Sequence, residues 1–148
     1  FAQVADKLAE KENARIIITV AKAEKSIAQD IASLMHTTPI VLPGNLSLKQ
    51  LAAIISKLTL FITNDTGPMH IASALNIPLI ALFGPGDPIR VGPYGNPETQ
   101  VVLKKDTPCS PCYRYECKNM VCLKSISVEE VLEAAYRLLT KTREGFPH

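Results

Sequence analysis

The chain has 148 residues and a formal net charge of +2, with 47% hydrophobic and 20% charged residues. That length suits one domain able to bury a core unaided, and the near-neutral charge gives no electrostatic case for nucleic acid or an anionic membrane. No apolar run approaches the roughly 20 residues needed to span a bilayer, and Phe1–Lys11 alternates apolar with charged residues where a signal peptide would build an apolar block.

In chain order, Phe1, Val4, Ala5 and Leu8 recur at helical spacing, so 1–12 is predicted as an amphipathic helix. With no initiator Met, the chain is expected to be a piece of a longer protein. Arg15–Val20 is rich in Ile and Val and is predicted as a buried strand. Glu24–Met35 reads as a helix with Ile27, Ile31 and Leu34 on one face. Pro39–Leu42 reads as a short strand, ended by Pro43-Gly44-Asn45. Ser47 is a candidate N-cap for a helix running to Ser56. Leu58–Thr63 is predicted as a strand, Met69–Leu75 as a helix closed by Asn76, and Pro78–Phe83 as another strand. A Gly/Pro-rich turn follows at 84–88, a last strand at Thr99–Leu103, and a helix at Ser127–Lys141 opened by a Ser127/Glu130 capping box. Strands that alternate with helices predict an α/β fold with a doubly wound, Rossmann-like parallel sheet. Ligands of such folds bind outside the carboxyl ends of the strands. The loops 64–70 and 84–93 fall at those ends.

Asn64-Asp65-Thr66-Gly67-Pro68-Met69-His70 is the main candidate site. A strand leading through Asp, Thr and Gly into a helix suits a phosphate. Gly67 permits close backbone approach and unusual dihedrals, Pro68 fits the first helical position, and the helix start favours an anion. Thr66 adds a hydroxyl, and His70 stands one turn further on. A carboxylate repels phosphate, so Asp65 is expected to accept from backbone amides or sugar hydroxyls. Asp and Thr are also ordinary cap residues, and capping stays open as the alternative role of this segment.

The run from Asn64 to Leu75, then Pro78–Phe83, Gly84-Pro85-Gly86-Asp87-Pro88 and Gly92-Pro93-Tyr94-Gly95, resembles glycosyltransferase family 9, the ADP-heptose:lipopolysaccharide heptosyltransferases and relatives. The resemblance implies the C-terminal, donor-binding half of a GT-B fold, with one donor domain over 1–148. It further implies inverting transfer of heptose from ADP-heptose to the lipopolysaccharide inner core, with no cofactor and no bound metal. The location implied is cytoplasmic, at the inner face of the inner membrane, with peripheral membrane association of the whole enzyme. Thr66 and Gly67 would hold the diphosphate beside Met69 and His70, and Asp65 would lie near the donor sugar or its phosphate. Glu24 would meet the ribose hydroxyls, Gly44–Leu46 the adenine, and the turn from Gly84 to Asp87 would line the same cleft. The family often carries a Gly-Gly-Pro-like turn before the ribose carboxylate, where this chain has Thr19–Ala23. The catalytic base and a phosphate-holding basic residue are expected outside this sequence, in the part that also meets the acceptor.

Cys109, Cys112, Cys117 and Cys122 share a loop at 108–123, opened by C-x2-C spacing. The pattern allows structural zinc, free thiols or disulfides. Tyr113, Arg114 and Tyr115 in this loop are candidates to face the acceptor or another domain. Two rival readings remain: a stand-alone nucleotide-binding or zinc-stabilised interaction module, and a nicotinamide-dependent dehydrogenase domain. The latter is weakened because no G-x-G-x-x-G follows the first strand.

Overall fold

The computed structural model describes residues 1–114 and 116–145. The chain forms two compact units, Phe1–Lys49 and Gln50–His148. Both are α/β with parallel strands.

The first unit opens with α1 (Ala2–Glu12), which buries Ala2, Val4, Asp6 and Leu8. Asn13 then turns the chain in the left-handed region. β1 (Ile17–Ile18) and β2 (Ile40–Val41) pair in parallel, with Ile17 opposite Ile40 and Ile18 opposite Val41. Between them lie a 3₁₀ turn at Lys22–Glu24 and α2 (Lys25–Ser33). One expectation fails here. The strands are shorter than the apolar runs, and Ile17, Ile40 and Val41 are exposed. Helix α2 buries Ala28, whereas Ile27 and Leu34 stand open to solvent. Composition identified these apolar side chains but not what covers them, because burial depends on the layer packed above each face.

The second unit holds the main core. Helix α3 (Leu48–Ile55) leads to β3 (Phe61–Asn64), α4 (Gly67–Ala74) and β4 (Leu79–Phe83). A four-residue helix α5 (Pro88–Val91) and a 3₁₀ turn precede β5 (Gln100–Lys104). Helix α6 (Val121–Lys124) and the long α7 (Val128–Glu144) complete the unit. The sheet order is β3-β4-β5, all parallel, with Asn64 opposite Leu82 and Phe83 opposite Lys104. β4 is central and buries Leu79, Ile80, Ala81 and Phe83. Ile55, Phe61, Met69, Ala72, Leu79, Ala81 and Phe83 form one contiguous core. The sequence anticipated the type of each longer element, but not the short helices α5 and α6, which have too few residues to show a period.

The close of α4 follows from its residues. Asn76 accepts the positive φ of 54° that ends the helix, a conformation Asn tolerates well. At the start of α7 the Ser127 hydroxyl accepts from the Glu130 amide, while the Glu130 carboxylate accepts from the Ser127 amide, as the capping-box spacing predicts.

Candidate functional site

Parallel pairing brings the carboxyl ends of β3 and β4 side by side, so the turns after Asn64 and after Phe83 leave from the same edge. In the first turn Thr66 adopts extended backbone and precedes α4, with Pro68 in the opening turn of the helix. The Thr66 side chain makes no capping hydrogen bond. Its hydroxyl lies 3.2 Å from that of Thr63 and 3.4 Å from the Asn64 carbonyl. Thr66 is therefore exposed and not committed to holding the helix. The Met69 amide donates to the Thr66 carbonyl at 3.0 Å, and Pro68 has no amide proton. Gly67 is left as the first-turn donor without an intrahelical acceptor.

Two expectations about this loop change. Gly67 has no positive φ, and a Cβ placed there would meet nothing within 4 Å, so its value is open space above the helix start and not unusual dihedrals. Met69 is 0% exposed within the core cluster, and its amide is engaged, which leaves it no group to offer a ligand. Its helical spacing from Ala72 places it on the inward face.

Asp65 is half-buried. Desolvation pushes its carboxyl above the ordinary carboxylate range, opposed by the charge of His70. His70 itself is exposed on α4. In the second turn Gly84 is buried, and a Cβ there would come 2.8 Å from Leu123 Cγ, so glycine is required by packing against α6. Gly86 is also buried, and its backbone runs against Asp65. Asp87 accepts from the Ile89 amide at 3.1 Å and caps α5. The structure thus brings Asp65, Thr66 and Gly86 to one place, while Gly84 and Asp87 shape the adjoining turn. The sequence pattern singled out neither Thr63 nor, within the turn from Gly84 to Asp87, Gly86 in particular. The signal for Thr63 was its hydroxyl three positions before Thr66, whereas Gly86 was hidden among turn glycines.

In the first unit, the Glu24 carboxylate accepts from the Ala21 amide at 3.1 Å and is exposed. This is a local turn-closing contact that leaves the other carboxylate oxygen available. Gly44 allows two backbones to approach: a Cβ there would lie 2.8 Å from the Lys22 Cα. The residues Ala21–Lys22 and Gly44, which follow β1 and β2, are therefore in contact. Leu46 is partly buried beyond Gly44.

The cysteine loop is tied to the turn after β4. The Cys112 and Tyr113 amides both donate to the Pro85 carbonyl at 3.0 Å, and the Ser110 hydroxyl donates to the Gly84 carbonyl at 2.9 Å. All four cysteines are free thiols. Among the described residues no group of three or more His, Cys, Asp or Glu, the candidates Cys109, Cys112, Cys117 and Cys122 included, is placed to hold a metal. Cys122 is buried on α6, while the exposed Cys117 accepts from the Met120 amide at 3.3 Å. Amide donation from Met120 and Asn119, helped by nearby cationic side chains, lowers the Cys117 thiol below its ordinary value. Tyr113 is about half exposed, Arg114 is exposed, and Tyr115 lies outside the described residues.

Comparison with known proteins agrees with this architecture. The family described as Glycosyltransferase family 9 (heptosyltransferase) matches residues 1–122. The chain is 39% identical over 108 residues to a lipopolysaccharide core heptosyltransferase, OpsX, of Haemophilus influenzae, covering 72% of this chain and 31% of that protein. It is 31% identical over 144 residues to lipooligosaccharide heptosyltransferase 2 of Campylobacter jejuni, covering 94% and 44%. Among solved structures, a family 9 glycosyl transferase from Veillonella parvula superposes with a TM-score of 0.77 at 32% identity, over 95% of this chain and 40% of that one. The ADP-heptose LPS heptosyltransferase II of E. coli superposes with a TM-score of 0.81 at 27% identity, over 96% and 41%. The chain thus spans less than half the length of these relatives. With a family match over residues 1–122, and an α/β fold of parallel strands shared with these glycosyltransferases, the chain belongs to glycosyltransferase family 9, the heptosyltransferase family.

Proposed function

We propose that this chain is the donor-binding domain of an inverting glycosyltransferase that takes heptose from ADP-heptose for transfer to the lipopolysaccharide inner core. The observation that carries the reading is the exposed Thr66–Gly67 turn at the carboxyl end of β3, with a hydroxyl that does not cap the helix and open space above the helix start. The Gly67 amide, the Thr66 hydroxyl and the α4 dipole favour a diphosphate there. As the glycosidic bond breaks, negative charge grows on the β-phosphate, and these donors stabilise it. Asp65 accepts from sugar hydroxyls, and His70 stands by as a further donor. In the first unit, Glu24 takes the ribose hydroxyls and the backbone of Gly44–Leu46 the base.

The base that activates the acceptor hydroxyl, and the acceptor itself, belong in this reading to sequence outside the chain. The whole enzyme works at the cytoplasmic face of the inner membrane by peripheral association. Among the described residues no helix is long and apolar enough to cross a membrane.

Calorimetric titration of the chain with ADP, ADP-heptose, UDP, GDP and NAD tests the proposal. Binding of ADP and ADP-heptose in preference to the other three is expected. Equal affinity for NAD, or a nucleotide that binds without perturbing the amide resonances of Thr66 and Gly67, would refute it.

A further inference from the structure

Asp65 is the acidic side chain on the donor loop, and its position is set from across the sheet edge. A Cβ built on Gly86 would lie 2.5 Å from Asp65 Oδ2 and 3.7 Å from Asp65 Cγ. Non-bonded carbon and oxygen cannot approach so closely, so one side chain must leave. The same Cβ would stand 3.7 Å from Phe83 Cδ1, an ordinary contact. The conflict is therefore with the carboxylate and not with the core. Asp65 is short, and its turn is held by β3 pairing on one side and α4 on the other, so it can relieve the clash only by turning its carboxylate elsewhere. Gly86 is itself anchored, because the flanking Gly84 and Pro85 carbonyls accept from Ser110, Cys112 and Tyr113.

We infer that Gly86 is a positioning residue for donor-sugar recognition: the space left by its absent side chain is where the Asp65 carboxylate rests, and this fixes the direction in which Asp65 presents its oxygens to sugar hydroxyls. The inference rests on the reading of Asp65–His70 as the donor loop. It adds that the turn after β4 selects the sugar through Asp65 without touching the diphosphate. Substitution at Gly86 should therefore separate sugar recognition from nucleotide recognition.

A double-mutant cycle on this chain tests the idea, with wild type, Gly86→Ala, Asp65→Ala and the double variant each read by thermal melting and by titration with ADP and ADP-heptose. Gly86→Ala should lower Tm by roughly 3 °C, and that loss should vanish in the Asp65→Ala background, where there is nothing to clash with. Its affinity for ADP-heptose should fall roughly tenfold while its affinity for ADP holds, and in the Asp65→Ala background it should change neither. The double variant relieves the contact and so keeps the cycle readable if Gly86→Ala alone melts early. Equal Tm losses in both backgrounds, or parallel weakening of ADP and ADP-heptose, would overturn the inference. Coupled melting with no binding of either ligand by the wild type would overturn the donor-loop reading instead and leave the Asp65–Gly86 contact standing.

Discussion

Thr66 is where capping and ligand binding make opposite predictions. A side chain that caps α4 would stabilise the fold, and its loss would cost about 1 kcal/mol. The Thr66 hydroxyl instead faces Thr63 and the Asn64 carbonyl, with no cap bond to the helix. Thr66→Ala should leave the melting temperature nearly unchanged and weaken ADP binding by about tenfold, since a hydrogen bond to a charged group contributes roughly 1.5–3 kcal/mol. Thr66→Ser should retain binding. Melting and calorimetry on the same samples check both halves.

Asp6 makes the complementary case of a carboxylate that serves structure. It is 6% exposed and accepts from the His36 amide, the Thr37 amide and the Thr37 hydroxyl at 2.9, 2.9 and 2.7 Å. The His36 amide is the largest of several effects that hold its carboxyl below the ordinary value of 3.8. A depressed pKa means stability that is present above the unfolded value and lost as pH falls through the folded one. Asp6→Ala should therefore melt below wild type at neutral pH. The gap should close as pH drops below 3.8, which a melting series against pH would show. The helical pattern of 1–12 gave no sign of this role, because the partners of Asp6 lie 30 and 31 residues away.

At the level of elements, α7 is the most self-specified part of the chain. Its capping box is reciprocal, and its inner face buries Val131, Leu132, Ala134, Ala135 and Leu138. Lys105 also donates to Glu130. That contact, followed by the Ser127 bonds, depresses the Glu130 carboxyl from 4.5 to about 2. Ser127→Ala should destabilise the fold by about 1 kcal/mol, measured by urea unfolding. The contribution of Glu130 should persist down to about pH 4.5 and disappear as pH falls through about 2. Elements whose signal is local, such as α1, α4 and α7, were legible from spacing and caps. The strands β1 and β2 were not legible in extent: the run Arg15–Val20 yields only Ile17–Ile18, since a strand exists only where a partner pairs with it.

For the molecule as a whole, the proposed division of labour predicts binding without turnover. The chain should bind ADP-heptose and release no ADP when given a lipopolysaccharide-core acceptor, measured by coupled ADP detection. Robust transfer by the chain alone would mean that the catalytic base lies within these residues.

Residue type and spacing over short stretches were enough to read the alternation of strands and helices, the family, and the loop Asn64–His70. Packing in three dimensions set which of those residues are available. It turned Met69 into the core, assigned Gly84 to packing against Leu123 and Asp87 to the start of α5, and set Gly86 against Asp65. It also left the four cysteines without a shared metal geometry. A side chain's chemistry is written in its type, but its availability depends on neighbours that parallel pairing brings in from distant parts of the chain.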